Sequence, residues 1–480
     1  MVPPAERARP ARPARPSGAA RGGEREARPP GQRAEPGRRP SRRRPSPEPR
    51  TVVTEFSARN FRSPRLARAV RHARRTLDRP LTPYYLIMGS SGLVLVLGLI
   101  MVFSASQITA RFYGLPFAYY FEKQLIAVAI GAVLMLVAVR LPLRAHRALA
   151  YPLLLGTVVL LLAVMVPGIG MTVNGNRNWI YLGGPFQIQP SEFAKLALVL
   201  WGADLLARKQ QLGTLDQWKH LLVPLVPVGG LLLTLVLAGG DMGTAMIICA
   251  LLFGLLWFSG APLRLFVTSA AVAAGLALIA IVAVPHRLSR LYCIGATKVG
   301  SDGACYQAVH GVYALASGGL FGTGLGASVE KWGQLPEPHT DFIFAVTGEE
   351  LGLAGTGSVI VLFAALGYAG IRVAGRTKDP FTRYAAGAAT TWIMAQAVIN
   401  VGAVLGLLPI AGVPLPMFSY GGSALLPTMF AVGMLLCFAR GEPAARAALA
   451  ARRETARGRW RGLPRRTIAG LRSGRPRRER

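Results

Sequence analysis

The sequence predicts an all-α polytopic membrane protein: ten transmembrane helices, with a large extracellular loop between helices seven and eight. Three observations carry that reading. Of 480 residues, 52% are hydrophobic and only 16% charged, too apolar for a soluble chain of this size. The formal charge of +33 gathers at the ends: residues 1–80 hold 22 Arg against 7 acids, and residues 441–480 hold 13 Arg against 3. Between those ends, apolar stretches recur at ~20 residues, the length that covers a ~30 Å hydrocarbon core. A soluble nucleic-acid-binding protein would place its basic groups on a folded polar domain; none is visible, so nucleic acid is not an expected partner. Four cysteines in 480 residues exclude a small disulfide scaffold.

Residues 80–110 hold no charge and supply the first span, near Tyr84–Ser104. The second lies between Lys123 and Arg140, and the third runs from beyond Arg147 to about Val166. The fourth begins at Ser191 and carries Lys195 and Asp204 within it. Charge-free stretches 221–240, 242–263 and 265–285 give the fifth, sixth and seventh, and the eighth occupies Phe344 to Ile371. The 56 residues 384–439 lack any charge and are too long for one helix. Leu407-Leu408-Pro409 through Gly421-Gly422 divides them into the ninth and tenth.

With the N-terminus inside, Arg140, Arg144, Arg147, Arg208, Lys209, Lys219, Arg264, Arg372, Arg376, Lys378 and Arg383 all face the cytoplasm. Residues 81–440 then form a membrane domain between two basic cytoplasmic tails, 1–80 and 441–480. The first tail, through about Arg50, is built from Arg, Pro, Ala, Gly and Glu without an apolar period, the composition of a disordered segment. It is not a secretory signal, since no short apolar core follows its basic patch. Arg59 to Arg79 is more helix-like and suited to anionic membrane lipid, although the plainer reading of both tails is as solvated topology signals.

Two long outer segments follow from this topology, 167–190 and about 286–343, and loops of that length are uncommon unless functional. Cys293 and Cys305 fall in the second, where either a disulfide or two buried thiols would fit. Cys249 and Cys437 sit in spans as small core residues. Ionisable groups at the rim of a membrane bundle mark functional sites by default. Glu192 and Lys195, three apart after Gln189-Pro190, share one helix face, as an ion pair or as site residues. Asp241 suits a helix cap. Asp341 stands between the polar turn Glu337-Pro338-His339-Thr340 and the apolar run from Phe342. At the interface, low dielectric would strengthen it as a base, while Thr340 or Asp341 would equally suit a cap. The Gly-rich run Ser317–Gly326 lacks the Gly-Lys-Ser/Thr ending of a nucleotide loop, which leaves phosphate approach or tight packing. No His/Cys cluster argues for a structural metal, and the Gly-x-Ser-x-Gly elbow is absent.

At these residues the chain resembles a known family. Leu335-Pro-Glu-Pro-His-Thr-Asp-Phe-Ile-Phe-Ala-Val-Thr-Gly-Glu-Glu-Leu-Gly352 is similar to the outer-loop motif of the SEDS family (shape, elongation, division and sporulation proteins). Asn174-Gly-Asn-Arg-Asn-Trp-Ile180 with Gln189-Pro-Ser-Glu-Phe-Ala-Lys195 resembles its second motif, and Pro414-Leu-Pro-Met-Phe-Ser-Tyr-Gly-Gly-Ser423 its third. Ser317-Gly-Gly-Leu320 and Gly322-x-Gly-x-Gly326 fit the family's loop as well. The match runs from about residue 84 to 440 and omits both tails. Pro409-Ile-Ala-Gly-Val-Pro-Leu-Pro416 and the long basic tails look more like the division branch than the elongation branch. The Arg, Ala and Gly content suggests a GC-rich actinobacterial source.

The resemblance implies a peptidoglycan glycosyltransferase that polymerises lipid II outside the cytoplasmic membrane, beside a class B penicillin-binding transpeptidase and the divisome proteins. It implies Asp341 as catalytic base, and substrate-binding roles for Glu192, Lys195, Arg177, Glu337, His339, Ser419 and Gly421. Lys195, oriented by Glu192, and Arg177 would meet the departing pyrophosphate. A divalent cation (Mg or Mn) bridging pyrophosphate and a carboxylate also suits that chemistry. Asn178 stands before Trp179 where the family often has Arg, and the Pro285–Arg290 segment also departs from the family pattern. Two other classes compete: a transporter of lipid-linked precursor, and a scaffold with an idle site. A transporter would show charged relays at mid-membrane depth, whereas here the polar residues gather at the outer rim.

Overall fold

The structure, a computed structural model, describes residues 77–451 apart from 174, 184–185, 216, 283–290, 297 and 301–304. The readings over residues 1–76, His286–Arg290 and 452–480 lie outside the described residues. Twelve helices and one small sheet are described: α1 Thr82–Phe112, α2 Tyr119–Arg140, α3 Leu143–Met165, β1 Gly170–Val173, β2 Asn176–Gly183, β3 Phe186–Ile188, α4 Pro190–Gln211, α5 Trp218–Leu222, α6 Leu225–Ala238, α7 Met242–Phe258, α8 Leu263–Val282, α9 Tyr306–Ser317, α10 Ile343–Arg376, α11 Pro380–Val404 and α12 Gly422–Gly441.

Seven stretches among the described residues are long and apolar enough to cross a membrane: α1, α2, α3, Lys219–Ala238, α10, α11 and α12. The chain is therefore a polytopic integral membrane protein. α4 carries Glu192, Lys195, Asp204, Arg208 and Lys209 inside 22 residues, and α7 has only 17. Each lies where a charge-free run or a start signal put it, but neither is long and apolar enough to be recognised as a span by itself.

The bundle is layered by exposure. α4, α11 and α12 are buried along almost their whole length. α1, α2 and α3 present Leu93, Val96, Val133, Leu155 and Val159 outward, apolar side chains whose natural solvent is lipid. Close packing in the centre rests on small residues. Ala385, Ala386, Gly387, Ala388 and Ala389 of α11 are all buried, and Gly387 faces the ring of Phe258 on α7. α12 packs on α2, α10 on α1 and α11, and α11 also on α4 and α7.

Asp204 ties α3 to α4: its carboxylate accepts from Arg147 Nε at 2.8 Å and Arg208 Nε at 2.7 Å. Arg372, near the end of α10, donates to Leu77 O at 2.5 Å and to Asp78 Oδ1 at 2.9 Å. That pair fixes the segment entering α1.

The expectation of an all-α chain needs one correction. Residues 170–188, within the long outer segment 167–190, form an antiparallel sheet in the order β1-β2-β3, with Gly170 opposite Ile180 and Ile180 opposite Ile188. The β-branched and aromatic runs Thr172-Val173 and Trp179-Ile180-Tyr181 on either side of Asn174-Gly175 are the hairpin signal. The two cysteines of the longer loop, Cys293 and Cys305, are joined as a disulfide. Cys249 and Cys437 remain thiols.

α10 is one 34-residue helix interrupted at Gly352, whose φ of 66° and ψ of −161° are not helical. The Gly-rich run explains the break. Leu353 N donates to Gly319 O, Ala354 N to Leu320 O, Thr323 N to Glu349 O and Gly324 N to Glu350 O, so the run fills the interrupted ladder. Of the two roles open to that run, tight packing is the one it fills. Gly352→Ala is expected to destabilise the protein by at least about 2 kcal/mol, because that backbone region is essentially reserved for glycine. A Cβ there would also stand 2.4 Å from Gly322 N. Thermal unfolding in detergent measures the loss, with Gly357→Ala, whose Cβ meets nothing within 4 Å, expected to be neutral or slightly stabilising.

Candidate active site

The site begins where the sheet hands over to α4. Pro190 opens the helix, and Gln189 N donates to Ser423 Oγ of α12 at 2.8 Å. Gln189 Nε2 and Ser191 Oγ both donate to Asp241 Oδ2, at 2.8 and 3.2 Å. Asp241 also caps α7 by accepting from Thr244 N at 2.9 Å, the role its position suggested. One turn into α4, Lys195 Nζ donates to Glu192 Oε1 at 2.7 Å, with the two side chains 0% and 1% exposed. Lys195 gives a second bond to Gln396 Oε1 at 3.0 Å and stands 5.3 Å from the centre of the Trp392 ring. Glu192 Oε2 is buried without a partner. The pair is thus an internal one, sealed from the outside.

Trp392, Gln396 and Asn400 lie four residues apart on α11 and share one face. Gln396 Oε1 also accepts from Trp392 Nε1 at 3.0 Å, and its Nε2 donates to Pro414 O at 2.8 Å. Asn400 Nδ2 donates to Val413 O and to Asp341 O, both at 2.8 Å. One helix face therefore connects the buried Lys195 to the loop before α12 and to the segment before α10.

The loop 405–421 closes the arrangement. Gly412 has φ +67°, and a Cβ on it would stand 3.7 Å from Asp341 Oδ2, so glycine backbone forms the wall facing the carboxylate. Ser419 Oγ accepts from Leu415 N at 2.8 Å. Gln124 of α2 grips the loop twice, donating to Ser419 O and accepting from Gly421 N, each at 3.2 Å. Tyr420 N donates to His339 O at 3.0 Å, which joins the two loops directly. The His339 ring packs against Tyr120 and Tyr420, at 4.9 and 5.4 Å between centres, and the two tyrosines also touch at 5.3 Å. Burial holds the imidazole below its ordinary pKa, against an opposing pull from Glu337, and its Nδ1 has no partner. Glu337 is exposed at the rim with φ +53°, and its Oε2 accepts from Thr340 Oγ1 at 2.8 Å. The cap position of α10 is Phe342, so neither Thr340 nor Asp341 occupies it.

Asp341, His339, Ser419 and Gly421 are thus brought together, with Glu337 at the edge and Glu192–Lys195 linked to them through Gln396. Arg177 is placed otherwise. Its Nη2 donates to Val166 O at 2.8 Å and its backbone N to Gly239 O at 3.1 Å, which fastens β2 to the end of α3 and to the α6–α7 turn. Among the described residues no group of three or more His, Cys, Asp or Glu could hold a metal ion. A cation meeting a pyrophosphate here would take most of its ligands from phosphate oxygens and water.

A second buried charge lies beside the site. Lys331 Nζ donates to Glu350 Oε1 at 2.6 Å and to Ser104 Oγ at 3.1 Å. Glu349 accepts from Ser328 Oγ at 2.5 Å and from Val329 N at 2.8 Å. The outer-loop motif carries both acids, and their work is to fasten the loop to α10 and α1.

Fold and site together define a polytopic membrane protein whose polar centre lies where two loops fold back onto a helix bundle. The family of cell cycle proteins that unites FtsW, RodA and SpoVE matches residues 84–442, and the chain belongs to it. The chain is 40% identical over 379 residues to the probable peptidoglycan glycosyltransferases FtsW of Mycobacterium tuberculosis and Mycobacterium bovis, covering 79% of this chain and 72% of each relative. It is 34% identical over 359 residues to the stage V sporulation protein E of Bacillus subtilis, covering 75% and 97%. Among solved structures it superposes with a TM-score of 0.61 and 25% identity on a chain from work on how a peptidoglycan synthase complex coordinates polymerization and crosslinking, covering 74% of this chain and 97% of that one. Thermus thermophilus RodA gives 0.53 and 26%, covering 75% and 97%.

Two predictions come from the buried groups. Removing one partner of the sealed pair, as in Glu192→Gln or Lys195→Met, is expected to cost about 3–5 kcal/mol by stranding the other charge. The double variant should be more stable than Lys195→Met alone, as read by melting midpoints in detergent. The depressed pKa of His339 gives a pH dependence of definite sign. The unfolded ring binds a proton near pH 6.5 while the folded ring resists it, so stability is lost as pH falls below about 6.5. Between pH 7.5 and 5.5 the melting midpoint of His339→Phe should fall less than that of the wild type.

Proposed function

We propose that this chain is a peptidoglycan glycosyltransferase that polymerises lipid II into glycan strands at the outer face of the cytoplasmic membrane during septal cell division. Residues 81–440 form its membrane domain. Ten helices cross the bilayer: α1, α2, α3, α4, α5 with α6, α7, α8, α10, α11 and α12. Both basic tails are cytoplasmic, and the large loop between the seventh and eighth spans is outside. The charge placement of the sequence supports this topology, since the Arg and Lys of the alternate connections fall on one side.

The observation that carries the reading is the seating of Asp341. Its carboxylate faces the backbone of Gly412 and its main chain is held by Asn400, beside the buried His339. In the proposed step Asp341 takes the proton of an acceptor sugar hydroxyl as that oxygen attacks the donor's anomeric carbon. The new carbon–oxygen bond forms as the bond to the lipid pyrophosphate breaks, and the pyrophosphate leaves with the electron pair, inverting the configuration. Arg177, fastened at the sheet to Val166 O, is a further cation on the substrate side, apart from Asp341. Glu192 and Lys195 act through Gln396, which holds Pro414 in place. Glu337, His339, Ser419 and Gly421 line the substrate side.

The mycobacterial relatives' names and the synthase-complex structure support the activity, and the latter supports a class B penicillin-binding transpeptidase as partner, with other divisome proteins around it. The expected outcome for Asp341→Asn, purified with the transpeptidase and given labelled lipid II, is loss of polymer by at least a hundredfold at unchanged complex formation. Glycan of wild-type length and yield from that variant would remove the base assignment. Protein-dependent movement of labelled lipid II across vesicles, with no polymer from the wild type, would replace the enzyme by a transporter.

A further inference from the structure

We infer that Asn400 is the positioning residue for the Asp341 carboxylate, clamping the segment before α10 against the Val413–Pro414 loop. The inference rests on the glycosyl transfer proposed above and names a part of its machinery on a different helix.

Asn400 is 2% exposed. Both hydrogens of its amide are spent on carbonyls from segments far apart in the chain, Val413 O and Asp341 O, each at 2.8 Å. The orientation is fixed by the surroundings: turned over, Oδ1 would face two carbonyl oxygens. At this reach only asparagine supplies two donors on one nitrogen. Aspartate offers none, serine offers one, and leucine none. Oδ1 itself is buried with no partner, so the side chain is retained for its donors. One turn earlier Gln396 holds the next carbonyl, Pro414 O, at 2.8 Å. Consecutive carbonyls of the loop are thereby pinned to one face of α11. Gly412, the residue before them, is the wall that Asp341 Oδ2 faces. A single amide thus sets the main chain of the base and the backbone opposite its carboxylate. Without it, two buried carbonyls lose their donor and the two segments are free to part.

The test uses the full chain with its transpeptidase partner, fluorescent lipid II as probe, and pH profiles beside melting midpoints. For Asn400→Ala, kcat is expected to fall about tenfold to a hundredfold with KM within about twofold, as for a misplaced catalytic group. Asn400→Asp keeps the shape, removes both donors and sets a second carboxylate near Asp341. Its acid limb in kcat/KM should move up by about one pH unit. Asn400→Gln, which keeps the amide on a longer stem, gives the same readouts if the alanine variant does not fold. Unchanged kcat per folded molecule together with an unmoved acid limb in Asn400→Asp would overturn the inference and leave Asn400 a packing residue. Wild-type polymerisation by Asp341→Asn would overturn it by a separate route, since the base itself fails there with residue 400 intact.

Discussion

Inside a membrane bundle, backbone that is not helical has no water to turn to, and each of its polar groups must find a partner within the protein. The loop 405–421 runs into the bundle under that constraint, and three neutral amides answer it. Gln124 takes Ser419 O and Gly421 N, Gln396 takes Pro414 O, and Asn400 takes Val413 O. The loop is irregular in conformation yet fixed in place from α2 and α11. Asp341 gains its setting from that fixity, because the residues around it belong to a loop that cannot drift.

Charge is handled in the same economical way. The buried cations each have a carboxylate within hydrogen-bonding distance: Lys195 with Glu192 and Lys331 with Glu350. Such pairs contribute little net stability but are costly to break singly, so they act as registration pins between elements. Lys195 joins α4 to α11 through Gln396, and Lys331 joins the outer-loop motif to α1 through Ser104. Arg177 works at the sheet, tying it to α3.

Much of this was legible in the sequence, for a physical reason. Lipid demands long apolar runs, so the helices begin and end close to where charges and prolines interrupt them. Asp341, His339 and the 414–423 motif were found by pattern, and the structure brings them to one place. The small sheet shows in the sequence only as Asn174-Gly175 between alternating runs, because the length of 167–190 carries no signature of strands. Gln124, Gln396 and Asn400 carry no charge to mark them in the sequence, yet an amide in an apolar helix needs a partner just as a charge does. The partners of Lys331 and Arg177 were out of reach, since Ser104 and Glu350, like Val166, are chosen by tertiary packing and not by spacing.

The break at Gly352 has a mechanical consequence. It divides α10 into a short segment, 343–351, and a longer shaft, and the run 319–324 bonds to both: Thr323 and Gly324 to the short segment, Gly319 and Leu320 to the first residues of the shaft. Phe321 in that run is 83% exposed, a handle on the molecular surface. The run therefore splints the break from both sides, holding the two parts of α10 at one fixed angle.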